Sequence, residues 1–284
     1  MESRVYQLSI DPVDLLNALH GQAGFFMLES SMVHPQRGRY SFVGYNPFFV
    51  AEGHDLATFA ILQKRYALYP GETSDLTPFP AGIAGFLSYD FGLQFENIKS
   101  RHGPHAGVPG FSFGFYDRII TIDHLDKKLI ITSTGWPETK SLPQQKRALA
   151  RLEEVEAVLS SLQTVDPANN PAEDLPRLMS NFTQSGYCNA VQKVLDYIKK
   201  GDIYQANVAQ EFSCVLKRRV DPAYLYRVLR DFSPSCFGGY WNAGRFQIVS
   251  SSPEMFLTLQ DGVVRTRPMK GTRPRGERNP LSSS

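Results

Sequence analysis

Two six-residue runs, Arg118–Asp123 and Lys128–Ser133, are separated by only four residues, His124-Leu-Asp-Lys127. Two β-forming runs spaced so closely read as a hairpin, and that commits the first half of the chain to antiparallel sheet. Further strand-like runs precede it at Arg4–Ser9, Gly24–Glu29 and Arg39–Gly44, with scattered helices between. From Gln145 to Leu162 the pattern changes: Leu152, Val155, Leu159 and Leu162 recur at helical spacing, one face of an amphipathic helix. Thr164 to Pro176 then holds three prolines, two asparagines and no sustained periodicity, which reads as a linker.

Beyond the linker, Tyr187, Val191, Val194 and Ile198 define a second helix that closes on Lys199, Lys200 and Gly201, cations at the negative helix end followed by a terminal glycine. Thr183 stands where its N-cap belongs, so Asn181-Phe-Thr183 is read as a helix start rather than a glycosylation site. Strand and helix signals alternate from there: Gln205–Val215, Pro222–Asp231, Cys236–Trp241, Arg245–Val249, Met255–Leu259 and Val263–Arg267. The order fits an α+β fold rather than regular βαβ units. The expected division is an N-terminal region over 1–163, a linker over 164–180 and a second region over 181–284.

Composition narrows the function classes. With 284 residues, 42% apolar and 20% charged, the chain suffices for one large core or two modest ones. Charges are scattered through the first twenty residues, and Phe25–Leu28 is far too short to span a bilayer, so neither a signal peptide nor a membrane segment is read. Three cysteines, Cys188, Cys214 and Cys236, form no Cys-x-x-Cys pair, which points to a reducing cytoplasm. The net charge of +2 conceals an asymmetry: residues 1–180 hold 15 bases and 20 acids, residues 181–284 hold 15 and 8. A basic second half suggests an anionic ligand. The histidines give no metal pattern, His102 and His105 lying in a loop-like stretch, and Asp117, Asp123 and Asp126 lack the spacing of a calcium loop.

Chemistry concentrates near the end. Arg265-Thr-Arg-Pro-Met-Lys-Gly-Thr-Arg-Pro-Arg-Gly276 sets Lys270 among four arginines. Crowding by like charge disfavours the ammonium form and favours a nucleophilic amine. Upstream, Ser250-Ser-Ser-Pro-Glu254 places three hydroxyls and a carboxylate at a turn, and Asp261-Gly262 reads as the hairpin that returns the chain toward Glu254. A plain two-residue turn would pair Glu254 with Met269 and turn Lys270 to the other face, so a register shift is required, with the ladder expected to break at Pro268. Gln205 and Asn207, in Gly201-Asp-Ile-Tyr-Gln-Ala-Asn207, alternate onto one face, where their amides can orient a ligand oxygen or satisfy a buried bend.

Taken in order, Leu28-Glu-Ser30, Gly38–Gly44, Phe86–Asp90, Gly114–Arg118, Gly201–Asn207, Ser250–Glu254 and Arg267–Arg273 resemble the chorismate-utilising enzymes, the family of anthranilate synthase and aminodeoxychorismate synthase component I chains. The resemblance spans nearly the whole chain. It implies an α+β fold of two packed, mainly antiparallel sheets with helices outside. Within the family, Lys270 in Pro-Met-Lys-Gly-Thr, where anthranilate synthases carry Ala, is similar to the aminodeoxychorismate branch. The implied reaction converts chorismate and ammonia from a partner glutaminase into 4-amino-4-deoxychorismate for folate synthesis. In it Lys270 is the nucleophile, Glu254 the general acid, and Gln205, Asn207, Ser252 and Thr272 contact substrate.

The resemblance further implies an L-tryptophan site built from Ser30, Arg37, Gly38, Arg39, Tyr40, Cys236, Phe237 and Gly238. Ser233 and Cys236 replace the asparagine and proline usual in relatives. It also implies a Mg2+ cofactor whose glutamate ligands lie beyond Ser284, so the chain is expected to be a truncated, inactive and poorly soluble synthase with no metal ligand of its own. Competing readings are an anthranilate synthase component I, a tryptophan-binding protein without catalysis, and a noncatalytic scaffold with a nucleic-acid-binding tail over 265–278, which carries six bases and one acid. The favoured reading includes neither nucleic acid nor membrane among the partners.

Overall fold

The computed structural model describes residues 1–69, 71–96, 98, 107–162, 177–216 and 220–271. The chain forms two compact units, Met1–Asp166 with Pro222–Ser284, and Pro167–Asp221. In the first unit the chain runs β1 (Glu2–Gln7), α1 (Pro12–Leu19), β2 (Phe26–Glu29), β3 (Tyr40–Gly44), β4 (Phe49–Gly53), α2 (Leu56–Tyr66), β5 (Gly82–Leu87), β6 (Phe111–Tyr116), β7 (Arg118–Asp123), β8 (Lys128–Ser133) and α3 (Ser141–Ser161). The second unit holds β9 (Met179–Ser180), α4 (Gln184–Lys200) and β10 (Phe212–Ser213). The first unit resumes with α5 (Pro222–Phe232), β11 (Phe237–Asn242), β12 (Gln247–Ser252), β13 (Met255–Gln260) and β14 (Val263–Arg267).

Seven strands form one sheet in the order β1-β8-β7-β3-β2-β11-β12, and three form another in the order β4-β6-β5. Every ladder is antiparallel. The β7–β8 hairpin has the expected bounds, Arg118 opposite Ser133 and Asp123 opposite Lys128. Side chains alternate across each strand. Phe26, Ile119 and Trp241 therefore face Ala84 and Tyr116 of the smaller sheet and make a middle layer. On the other face Met27, Val43, Ile120, Ile122 and Tyr240 pack against Leu15, Leu16 and Leu19 of α1, Leu152 and Val155 of α3, and Ala223 and Tyr226 of α5. The smaller sheet buries Phe111 and Phe115 against Leu62 of α2 and the 3-10 turn carrying Phe91. Two packed sheets with helices outside follow from these three layers.

The division expected from composition is drawn differently by the contacts, because β11 and β12 are strands of the N-terminal sheet. Residues 163–176 lie outside the described residues. In the second unit, α4 starts with the Thr183 hydroxyl accepting the Gly186 N–H and ends at Gly201 with φ 81°. The strand expected over 205–215 shortens to Phe212–Ser213, because its ladder with β9 is two residues long. Gln205 and Asn207 have no regular structure, and both are exposed. The alternation read from their spacing therefore does not arise. Among the described residues β13 and β14 pair only with each other, and Phe256, Leu259 and Val264 are exposed by 84%, 68% and 63%.

Candidate functional site

A cavity of about 440 Å³ opens where the 31–39 segment passes over β2 and β11. Its size falls within the ~300–1,000 Å³ of small-molecule sites. Ser30, Arg37, Arg39, Tyr40, Cys236, Phe237 and Gly238 line it, together with Leu28, Phe42 and Pro78. Seven of the eight residues assigned to tryptophan by resemblance therefore meet at one place, although 206 positions separate Ser30 from Cys236. Hydrogen bonds close that distance: Ser30 Oγ lies 2.9 Å from Tyr40 O and 3.0 Å from Cys236 O, and Met32 N–H donates to Ser235 O at 2.9 Å. Cys236 Sγ donates to Met32 O at 3.3 Å.

Gly38, the eighth residue, packs behind the wall rather than in it. A Cβ there would sit 2.4 Å from Met32 O and 3.1 Å from His34 N, both backbone atoms. Gly38→Ala is therefore expected to cost about 1–3 kcal/mol, as overpacked sites do. Urea denaturation measures it, and a loss under half a kilocalorie would show that the segment yields freely.

The two arginines of the cavity differ. Arg39 is held by Asp123 through Nε at 3.1 Å and Nη2 at 2.7 Å, and also reaches Asp126 at 3.0 Å. Burial works against Asp123 ionising, yet the bonds from Arg39 and from the Asp126 and Leu125 amides outweigh it and keep the carboxyl below its ordinary range. Arg37 makes no ion pair among the described residues and is the cation free to meet a ligand carboxylate.

Glu29 also borders the cavity, and its carboxylate is fully buried, accepting from Arg230 Nε at 2.7 Å and from Tyr226 OH at 2.7 Å. Burial pushes that carboxyl upward, and Arg230 and Tyr226 pull the other way. Sequence reading quoted Glu29 only within a motif and missed the pair. The available signal was Tyr226 and Arg230 spaced i, i+4, on one face of α5.

Glu254 and Lys270 flank the β13–β14 hairpin. Asp261 and Gly262 both have positive φ, 51° and 75°, as the two-residue hairpin turn requires. The required shift is present in β13 between Met255 and Thr258, and the ladder breaks at Pro268 as expected. Met255 therefore faces Arg267 where an unshifted ladder would place Pro268. Glu254 and Lys270 both lie beyond that last pair, so the ladder sets no register between them. The ladder itself ends at Arg267, and Pro268–Gly271 have no regular structure.

Lys270 is exposed and its Nζ donates to Met269 O at 3.2 Å, while Glu254 is half-buried. No ion pair joins the two, and neither lines the cavity. Ser252 Oγ lies 3.4 Å from both Glu254 N and O. Gln205 and Asn207 belong to the second unit, and Thr272 lies outside the described residues. Among the described residues no three His, Cys, Asp or Glu side chains converge to hold a metal ion. None of their helices is long and apolar enough to cross a membrane.

Two antiparallel sheets faced by helices, with a cavity beside β2 and β11, define an α+β protein of the anthranilate synthase component I fold. Its fold matches the crystal structure of anthranilate synthase component I from Streptococcus pneumoniae TIGR4 with a TM-score of 0.62 at 24% identity, over 90% of this chain and 58% of that one. Residues 31–282 match the chorismate binding enzyme model, and the chain belongs to that family. It is 31% identical to anthranilate synthase component 1 of Cereibacter sphaeroides, over 93% of this chain and 57% of the relative. It is 30% identical to aminodeoxychorismate synthase component 1 of Bacillus subtilis, over 85% of this chain and 54% of the relative. The chain thus spans a little over half the length of these relatives.

Proposed function

We propose that the chain serves as component I of an aminodeoxychorismate synthase, with chorismate as substrate and ammonia supplied by a glutaminase partner. The observation that supports this product over anthranilate is Lys270, a primary amine just past the end of β14, at the open end of the hairpin whose other strand follows directly on Glu254. In this reading the amine attacks C2 of the ring as the C4 hydroxyl departs, ammonia adds at C4, and the lysine is expelled. Glu254 supplies the proton with which the hydroxyl leaves as water. Ser252, whose hydroxyl lies beside the Glu254 backbone, is assigned to hold the substrate. The described residues offer no Mg2+ site, and no step is assigned to the ion.

The test supplies chorismate, magnesium and ammonium to the chain alone and to the chain joined to the part of a relative that it does not span. The joined protein is expected to release aminodeoxychorismate, and the chain alone none. Anthranilate, recognised by its fluorescence, would overturn the assignment.

A second reading concerns the cavity. Its apolar wall of Leu28, Phe42, Pro78 and Phe237, with Arg37 unpaired beside it, suits an aromatic amino acid such as L-tryptophan. Calorimetry with L-tryptophan is expected to show one site, and absence of heat would count against it.

A further inference from the structure

Ser41 of β3 is fully buried, and its hydroxyl has two neighbours. The Ser30 N–H donates to Ser41 Oγ at 3.0 Å, and His124 Nε2 lies 2.7 Å from the same oxygen. A serine hydroxyl carries one proton, and among the described residues His124 Nε2 is the acceptor in its reach. In that arrangement the imidazole is neutral and carries its own proton on Nδ1. His124 also donates its backbone N–H to Arg39 O at 2.9 Å. One turn thus clamps residues 39 and 41, and Tyr40 between them lines the cavity with Ser30 and Arg39.

We propose that His124 is a proton-operated latch on the cavity wall: the neutral imidazole fixes Ser41, Ser30 and Tyr40, and protonation at Nε2 releases them. A proton on Nε2 turns this nitrogen from acceptor into donor. The Ser41 hydroxyl, already accepting from Ser30, then loses the acceptor for its own proton inside a buried layer. Four charged groups face the ring: Lys127 and Asp123 beside it in the chain, Asp11 ahead of α1, and Arg230 from α5. Burial first, then Lys127, holds the imidazole below its ordinary value, with Arg230 acting alike and Asp11 and Asp123 opposing. The latch is closed at neutral pH and opens as the medium turns acid.

Hydrogen exchange at the Ser30 amide, corrected for its intrinsic pH dependence, tests this from about pH 8 to about pH 5, on either side of the histidine range. The parent chain is expected to lose roughly tenfold protection on acidification, as for an orphaned buried hydroxyl. His124→Gln, whose amide oxygen accepts from Ser41 at every pH, is expected to stay flat. Equal slopes in both proteins, or a flat parent, would overturn the latch. Should the variant not fold, NMR titration of the His124 ring in the parent decides it. The ring and the Ser30 amide must change at one pH, and separate midpoints defeat the proposal.

A second arm rests on the amino-acid reading of the cavity. L-tryptophan affinity is expected to fall by a similar factor in acid. Absence of heat at both pH values counts against the cavity reading alone, while exchange still judges the latch.

Discussion

Glu254→Gln, placed in the chain joined to the remainder of a relative, is expected to slow aminodeoxychorismate formation by about 10²–10⁴-fold, the range general acid catalysis contributes. The amide keeps the shape of the carboxyl and the hydrogen bond from Glu254 N–H toward Ser252 Oγ, but has no acidic proton for the departing hydroxyl. Lys270→Ala should be at least as damaging, because it removes the attacking atom rather than its helper. The decisive comparison is steady-state turnover of both variants beside the parent at saturating ammonium. Turnover within twofold of the parent in either variant would remove that residue from the chemistry. A rise in KM alone, with turnover unchanged, would place Glu254 in substrate binding instead.

The second large effect concerns stability. Glu29→Ala is expected to cost about 3–5 kcal/mol, because it removes the buried partner of the Arg230 guanidinium and leaves only the exposed carboxylates of Asp11 and Asp231. Glu29 has no exposed side-chain surface, Arg230 only 21%, and the pair fastens α5 to β2 across 201 residues of sequence. Arg230 also reaches Asp11 at 3.3 Å, the residue that caps α1. Losing Glu29 therefore loosens two helices from one sheet. Replacing both partners, Glu29→Met with Arg230→Met, should recover most of the loss, since well-packed apolar side chains often match a buried ion pair. Urea midpoints of the three proteins measure this. A single variant within 1 kcal/mol of the parent would show that solvent reaches the pair.

Much of the fold was legible where local chemistry and tertiary structure agree. The β7–β8 hairpin, the Thr183 and Gly201 ends of α4 and the Asp261-Gly262 turn each rest on neighbouring residues. The three-stranded sheet was not read, because Gly82-Ile-Ala-Gly-Phe-Leu87 looks like loop to any local rule. Gly85 is there for close approach: a Cβ would lie 2.0 Å from Ser112 O on the neighbouring strand. At the candidate site, the need for a register shift was read from parity. Its place in β13 was not, since Pro268 was the visible ladder breaker and nothing in Met255-Phe-Leu-Thr258 announces an extra residue. Glu29 with Arg230, and Ser41 with His124, join positions 201 and 83 apart, beyond any spacing rule.

The placement of β11 between β2 and β12 also bears on how the polypeptide matures on the ribosome. Phe26 and Met27 leave the exit tunnel early, yet the strands that flank them on one side end only at Asn242 and Ser252. At about 5–20 residues per second, β2 waits roughly 10–45 s with an open edge. A nascent chain of this protein therefore exposes an unpaired apolar strand over that interval, and pausing after codon 163 is expected to aggravate its aggregation.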